Sequence, residues 1–196
     1  MTVDVHSAKR TLAEDEKDEK NIELRLLENR TVILAKEITR ESAQRVISRL
    51  LLLAGEDPET PIKLFINSPG GDVDAGFAIF DIVRYVKAPV DIIVAGLAAS
   101  AAVIVLVASP RERRFSLPNA RFLIHQPSTG VQGVASDIQI EASEILKSRE
   151  KINKLIAAET GKSIEQIDKD TRRNFWMNAQ QAKDYGLVSE IVTQRE

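Results

Sequence analysis

Short apolar runs alternate with amphipathic stretches along most of the chain. Strands are predicted where β-branched and aromatic residues cluster, at Arg30–Ala35, Ile62–Ile66, Val90–Ala95, Arg113–Leu117 and Arg121–Ile124. Residues with helical spacing separate several of these runs. Because strands and helices alternate, the pattern predicts an α/β fold built from βαβ units around a parallel sheet.

Two helices are predicted in the first half of the chain. Thr39 is expected to cap a helix from Glu41 to about Ala54. A second helix is expected from Asp72 onward, after the turn Asn67–Gly71. The residues expected to make their apolar contacts are Val46, Ile47, Leu50 and Leu51 in the first helix, and Phe77, Ile79, Phe80, Ile82, Val83 and Tyr85 in the second.

The C-terminal third is predicted to be helical. One helix is expected from Ala135 to about Ala158, ended by Gly161. Its length favours a projecting amphipathic helix that packs against another copy of the chain. Ser163–Gln166 has the pattern of a capping box that opens another helix. Gly186 is expected to end a short helix that begins near Ala179.

Composition narrows the class of protein. The chain has 196 residues, which fits one domain, and its net charge of −2 argues against a nucleic-acid partner. With no cysteine and only two histidines, disulfides, cysteine-ligated zinc and histidine-rich metal sites are not expected. Residues 1–20 mix acids and bases without apolar periodicity, which predicts a mobile arm before a single domain at residues 21–196.

An uncharged apolar run from Ile92 to Ala108 contains one hydroxyl, that of Ser100. A membrane span is a weaker interpretation than a buried strand followed by a helix. The run is short of the roughly 20 apolar residues that a bilayer needs, and charged residues flank it. Gly96 is expected to turn the chain sharply, and the following alanines favour a helix. A serine at such a strand–helix junction is typical of a nucleophile.

Two further features lie where predicted parallel strands end. Gly70-Gly71 follows one strand, and its backbone N–H groups can face a small anion. His125 ends another strand. Each feature alone is more often structural, but open α/β sheets gather their sites at the carboxyl ends of strands. The combination with Ser100 predicts one acyl-transfer centre with a nucleophile, a base and oxyanion donors.

The chain resembles the proteolytic subunit of the caseinolytic (Clp) protease family. The resemblance covers about residues 24–192 and rests on four blocks, Asn67–Gly71, Gly96–Ser100, Ile124–Pro127 and Tyr185–Val188. It implies a crotonase-like spiral of βαβ units with a projecting handle helix at about residues 135–158. It also implies seven-fold rings stacked into a tetradecamer, whose inner chamber holds the proteolytic sites and is fed by an ATP-driven AAA+ unfoldase.

The same resemblance implies roles for individual residues. Ser100 is the nucleophile and His125 the general base. Gly71 and Ala101 supply the oxyanion N–H groups. The substrate backbone lies as an added strand near Asp72 and Val73. No cofactor or metal is expected in this chain, since the partner unfoldase uses the ATP.

Four departures from the family pattern stand out. Asn174 occupies the third triad position, where the family has an aspartate. Arg172 replaces an acid that the family uses in the contact between rings. Ala101–Val103 replaces the usual Met-Gly-Ala after the serine, which changes the substrate pocket. Residues 1–20 do not resemble the family's axial-pore segment.

Three functions remain open from the sequence. The favoured one is a cytoplasmic serine endopeptidase subunit of a Clp-type barrel that cleaves unfolded proteins and peptides, in homomeric or mixed rings. Because Asn174 and Arg172 depart from the pattern, the alternative is a weakly active or modulatory subunit that assembles with a competent paralogue. A crotonase-type enzyme acting on acyl-CoA shares the oxyanion geometry but does not need Ser100 and His125. Neither nucleic acid nor membrane is expected as a partner.

Overall fold

A computed structural model describes residues 21–127 and 132–193, so the mobile arm predicted for residues 1–20 lies outside the described residues. Residues 21–28 are helical (α1). The elements that follow are β1 (Thr31–Leu34), α2 (Arg40–Glu56), β2 (Ile62–Ser68), α3 (Val73–Tyr85), β3 (Val90–Ala99), α4 (Ala101–Leu106), a 3₁₀ turn (Arg111–Arg113), β4 (Arg114–Ser116), β5 (Arg121–Ile124), α5 (Ala135–Thr160), α6 (Ile164–Thr171), β6 (Phe175–Asn178), α7 (Ala179–Tyr185) and β7 (Glu190–Ile191).

The sheet is mostly parallel, as the alternation of strands and helices predicts. Its strands lie in the order β1-β2-β3-β4-β7. Besides β2, the long strand β3 pairs with two short strands. Strand β4 pairs with the first half of β3, and β5 pairs with its last three residues, Leu97–Ala99. The carboxyl ends of β3 and β5 are therefore neighbours, and Ser100 and His125 follow these two ends.

The apolar run from Ile92 to Ala108 belongs to the hydrophobic core and is not a membrane span. Every residue of α4 is buried, and β2 and β3 bury alternate side chains beneath it. Within residues 21–127 and 132–193, no helix combines the length and the apolar character needed to cross a bilayer.

Helix α2 confirms the predicted cap and corrects one predicted contact. The Thr39 hydroxyl accepts a hydrogen bond from the Ser42 N–H, and the Ser42 side chain accepts one from the Thr39 N–H. Leu51 was expected on the apolar side but is 43% exposed. Tyr85, expected among the apolar contacts of α3, is 79% exposed at the end of that helix.

The sharp turn predicted at Gly96 is wrong. Gly96 lies inside β3, which continues to Ala99, and the chain turns at Ser100 instead. Gly96 has a positive φ of 109° and lies where the pairing of β2 with β3 shifts register between Ile66 and Ser68. A bulge thus absorbs the glycine without ending the strand.

The C-terminal third is less helical than predicted. It contains two strands that the sequence pattern did not indicate, β6 and β7, and β6 runs antiparallel to β5. Helix α5 extends to Thr160 before Gly161 ends it in the left-handed conformation. Ser163 caps α6 by accepting a hydrogen bond from the Gln166 N–H, but the reciprocal half of the predicted capping box is not formed. The Gln166 side chain donates to Asp170.

Helix α5 divides into an exposed half and a packed half. Nearly all residues from Ala135 to Lys147 are exposed, whereas Ile152 and Ile156 are buried against the rest of the protein. The end of the helix is fastened by Glu159, whose carboxylate forms ion pairs with the fully buried Arg114 and with Arg84. This attachment holds Ile152 and Ile156 beside Ser100.

Candidate active site

Ser100 occupies the junction between β3 and α4 in an uncommon backbone conformation. Its φ is 56° and its ψ is −124°, and its N–H donates to the Leu123 carbonyl at 2.9 Å. A positive φ is rare for a residue with a Cβ and is typical of a nucleophile held on a sharp strand–helix turn. The half-buried side chain caps no N–H of α4. The hydroxyl is therefore presented at the end of the sheet.

The Gly70-Gly71 turn lies directly against this junction. A Cβ on Gly70 would lie 2.4 Å from the Ala99 carbonyl oxygen and 2.9 Å from the Ala101 nitrogen, so only glycine allows the approach. The segment is held in place by Ile38, whose N–H donates to Gly70 and whose carbonyl accepts from Asp72. The Gly71 and Ala101 N–H groups donate to no acceptor in the described part of the chain. Both remain available to a ligand oxygen.

His125 follows β5 and shares a small cavity with Ser100. The cavity measures about 20 Å³ and is otherwise lined mainly by apolar side chains, those of Val73, Ala101, Val103, Ile104, Ile124, Pro127, Ile152 and Ile156. Burial lowers the pKa of the half-buried imidazole from its ordinary value of 6.5. The neutral form, which can accept a proton, is therefore favoured at neutral pH. No hydrogen bond joins Ser100 Oγ to the imidazole in the described residues, a common finding in sites without substrate.

Asn174 is brought opposite His125 by the pairing of β5 with β6. The last antiparallel pair in this ladder is Ile124 with Phe175. The next position outward on each strand is His125 and Asn174. Asn174 is exposed, does not line the cavity and forms no hydrogen bond to His125 among the described residues. The structure therefore places Asn174 opposite His125 in the register of the two strands, with no hydrogen bond between the two side chains among the described residues.

The two aspartates near Asn174 are occupied elsewhere. Asp168 accepts from Arg149 at 2.5 Å and from Arg172 at 3.1 Å. Asp170 accepts from Gln166 and from the Tyr185 hydroxyl, each at 2.8 Å. Burial and the Asp170 carboxylate both raise the pKa of Tyr185. Both carboxylates are therefore engaged by side chains other than His125.

Sequence reasoning from patterns alone missed β6, and with it the physical reason for the position of Asn174. The only local signal is the pair of aromatic residues at Phe175 and Trp176, which favours a strand, but the strand itself has only four residues.

Within residues 21–127 and 132–193, no three His, Asp or Glu side chains lie close enough together to hold a metal ion.

The chain is similar to known proteins over most of its length. A family model described as Clp protease matches residues 14–195. The chain belongs to the Clp protease family. ATP-dependent Clp protease proteolytic subunit 2 of Treponema denticola is 50% identical to it over 172 residues, which are 88% of this chain and 86% of that protein. Clp proteolytic subunit 3 of Rhizobium johnstonii is 48% identical over 174 residues, 89% of each chain.

A solved Clp structure extends the comparison to three dimensions. A ClpP1 from Listeria monocytogenes, described as an asparagine-to-aspartate mutant, aligns with a TM-score of 0.82 and 45% sequence identity. The alignment covers 89% of this chain and 97% of that one. The fold is therefore the α/β fold shared by Clp proteolytic subunits and crotonases.

Proposed function

We propose that the chain is the serine endopeptidase subunit of a barrel-shaped, ATP-dependent Clp protease. The observation that carries the proposal is the Ser100 junction, where a strained serine and a half-buried histidine border one cavity. The Gly70-Gly71 turn packs against the same junction, and the Gly71 and Ala101 N–H groups have no acceptor among the described residues. A serine with a purely structural role would require neither the strained backbone nor the neighbouring histidine and N–H groups. Family membership supports a peptidase rather than an acyl-CoA enzyme, since the latter does not require the serine and histidine.

In the proposed mechanism, Ser100 Oγ forms a bond to the carbonyl carbon of a peptide while His125 takes the hydroxyl proton. The carbonyl π electrons move onto the oxygen, where the Gly71 and Ala101 N–H groups stabilise the negative charge. Collapse of this intermediate breaks the C–N bond, and His125 gives the proton to the leaving amine. In the second half, the oxygen of a water molecule bonds to the acyl carbon while His125 takes a proton from that water. The C–O bond to Ser100 then breaks, the acid product leaves, and His125 returns the proton to Ser100 Oγ.

The proposed assembly is a pair of seven-membered rings that encloses the sites and is fed by an AAA+ unfoldase using ATP. The exposed half of α5 supports this proposal, because a helix with Ile138, Ile140 and Leu146 exposed is suited to packing against a second copy. The substrates are unfolded polypeptides that extend past Asp72 and Val73, and the location is the cytoplasm. No cofactor is needed in this chain.

A modulatory subunit is the second candidate, and Asn174 is the observation that favours it. An amide orients an imidazole but supplies no negative charge to the imidazolium that forms during attack. With Asp168 and Asp170 engaged by other side chains, no carboxylate takes over this task in the described residues. Two relatives named as numbered Clp subunits are consistent with assembly beside a paralogue.

Labelling with a fluorophosphonate probe tests the proposed function. The wild-type chain is expected to acquire one covalent label, and the labelled peptide should contain Ser100. The Ser100→Ala variant should remain unlabelled, while the exposed Ser48→Ala variant should label like wild type. A wild type that stays unlabelled as an assembled particle would contradict the peptidase. Activity that appears only after mixing with a paralogue would favour the modulatory subunit.

The acid limb of the pH–rate profile should report the buried imidazole. Since burial lowers the pKa of His125, the neutral base persists to lower pH than an exposed histidine would. We expect kcat/KM for peptide hydrolysis to be half-maximal below pH 6.5, when measured with the oligomeric state monitored at each pH. A midpoint well above 6.5 would contradict an environment dominated by burial.

Proline in the middle of α5 should separate the rings. Ile145→Pro removes one hydrogen bond and clashes with the preceding turn, at a cost of about 3 kcal/mol. Analytical ultracentrifugation is expected to show single rings or smaller species. Ala135→Pro is the matched control, because Ala135 is the first residue of α5 and proline is tolerated there. Intact double rings in the Ile145→Pro variant would rule out a role for α5 in stacking.

A further inference from the structure

Gln126, the residue after His125, holds two successive carbonyl groups at the end of α6. Its N–H donates to the Thr171 carbonyl at 2.7 Å, and its side-chain Nε2 donates to the Arg172 carbonyl at 3.2 Å. The last carbonyls of a helix have no partners within the helix, so they need donors from elsewhere. Gln126 supplies two such donors to α6.

The acceptor side of this contact is itself fixed. Thr171 is fully buried; its hydroxyl lies 2.8 Å from the Ile167 carbonyl oxygen and 3.2 Å from Asn153 Oδ1 of α5, and shares its one hydrogen between them. Asp168, one turn earlier in α6, is paired with Arg149 of α5. The end of α6 is therefore anchored to α5, and Gln126 ties the segment that follows β5 to that anchor.

His125 and Asn174 are flanked on both sides by contacts between the end of β5 and the segment that leads from α6 into β6. On one side, the β5–β6 ladder ends with Ile124 paired to Phe175. On the other side, Gln126 binds the carbonyl of Arg172, two residues before Asn174. Both residues of the pair are thus held from both flanks, although no hydrogen bond joins their side chains in the described residues.

We propose that Gln126 is a positioning residue that fixes the separation between His125 and Asn174. The inference rests on the proposed peptidase function. Through its side-chain amide, Gln126 holds the α6–β6 turn close to the end of β5, so that the Asn174 amide can reach the imidazole when the substrate is bound. The acidic side chain of a Gln126→Glu variant keeps the shape but cannot donate to the Arg172 carbonyl when ionised.

The test compares Gln126→Glu and Gln126→Ala with wild type. Losing a hydrogen bond of this kind is expected to lower kcat roughly 3- to 10-fold, with KM nearly unchanged. The rate of fluorophosphonate labelling at Ser100 should fall by a similar factor. Gln180→Ala, an exposed glutamine on α7, is the matched control and should keep wild-type rates.

A double-mutant cycle separates positioning from general stability. If Gln126 acts through the pair of His125 with Asn174, the loss from Gln126→Ala should largely disappear in an Asn174→Ala background. Additive losses would overturn the proposal, as would a lower melting temperature with unchanged kcat. If Gln126→Ala fails to assemble, the Gln126→Glu variant, which keeps the side-chain volume, decides the question. Failure of the peptidase function itself is recognised separately, because Ser100→Ala would then leave activity unchanged.

Discussion

Hydrolysis of a fluorogenic peptide is expected to fall to the assay background when Ser100 is replaced by alanine. The substitution removes the only atom that can form the acyl-enzyme, and loss of a triad nucleophile costs on the order of 10⁶ in kcat in well-studied serine proteases. Oxyanion donors alone would leave a residual rate too small to detect here. The effect is the largest loss that we predict for a single residue.

Assembly should survive this change. The Ser100 hydroxyl forms no hydrogen bond within the described residues, so alanine leaves no buried group without a partner. The particle size of the Ser100→Ala variant, measured by analytical ultracentrifugation, is therefore expected to match wild type. Ser48→Ala is again the control for removing a hydroxyl. Undiminished hydrolysis in an assembled Ser100→Ala particle would show that another residue is the nucleophile.

Replacing Asn174 by aspartate is expected to raise peptidase activity. A carboxylate opposite His125 would stabilise the imidazolium that forms as Ser100 attacks and would fix the productive tautomer. The reverse change in a well-studied serine protease costs about 10⁴ in rate, which sets the upper limit of the gain. Because Asn174 is exposed, water screens part of the added charge, so we expect a gain below that limit.

The gain in rate should come with a shift in pH dependence. A negative charge beside His125 raises the imidazole pKa, so the acid limb of the kcat/KM profile should move to higher pH in the Asn174→Asp variant. Asn178→Asp is the matched control, because it adds the same charge at the other end of β6 and aspartate caps α7 as well as asparagine does. An unchanged rate in a fully assembled Asn174→Asp particle would show that the missing charge does not limit catalysis.

The sequence predicted most elements that carry the site, and it failed where local pattern and long-range pairing diverge. Strand β2 and the start of α2 followed from apolar periodicity and the Thr39 cap, both of which are local signals. A glycine in an apolar run predicts a turn at Gly96, whereas pairing with β2 keeps the strand intact through a bulge. Exposure of Tyr85 likewise depends on where the helix meets its neighbours.

The candidate site was predicted unevenly for a similar reason. His125 and the Gly70-Gly71 turn follow strand ends that the sequence pattern predicts. Ser100 is indicated by its place as the one hydroxyl in an apolar run, although the pattern ends the strand before it at Ala95 rather than Ala99. Asn174 was indicated only by resemblance to the Clp family, since its place depends on antiparallel pairing between segments about 50 residues apart. The Gln126 contact to α6 has no sequence signature, because both of its acceptors are backbone carbonyls.

The backbone of Ser100 implies a trade between stability and chemistry at one position. Holding a residue with a Cβ at a φ of 56° and a ψ of −124° costs on the order of 1–3 kcal/mol. Glycine would adopt the same conformation without that penalty, whereas alanine would still bear it. A Ser100→Gly chain should therefore be more stable than its Ser100→Ala counterpart while being equally unable to form an acyl-enzyme. The backbone conformation that exposes the Ser100 hydroxyl therefore lowers the free energy of unfolding.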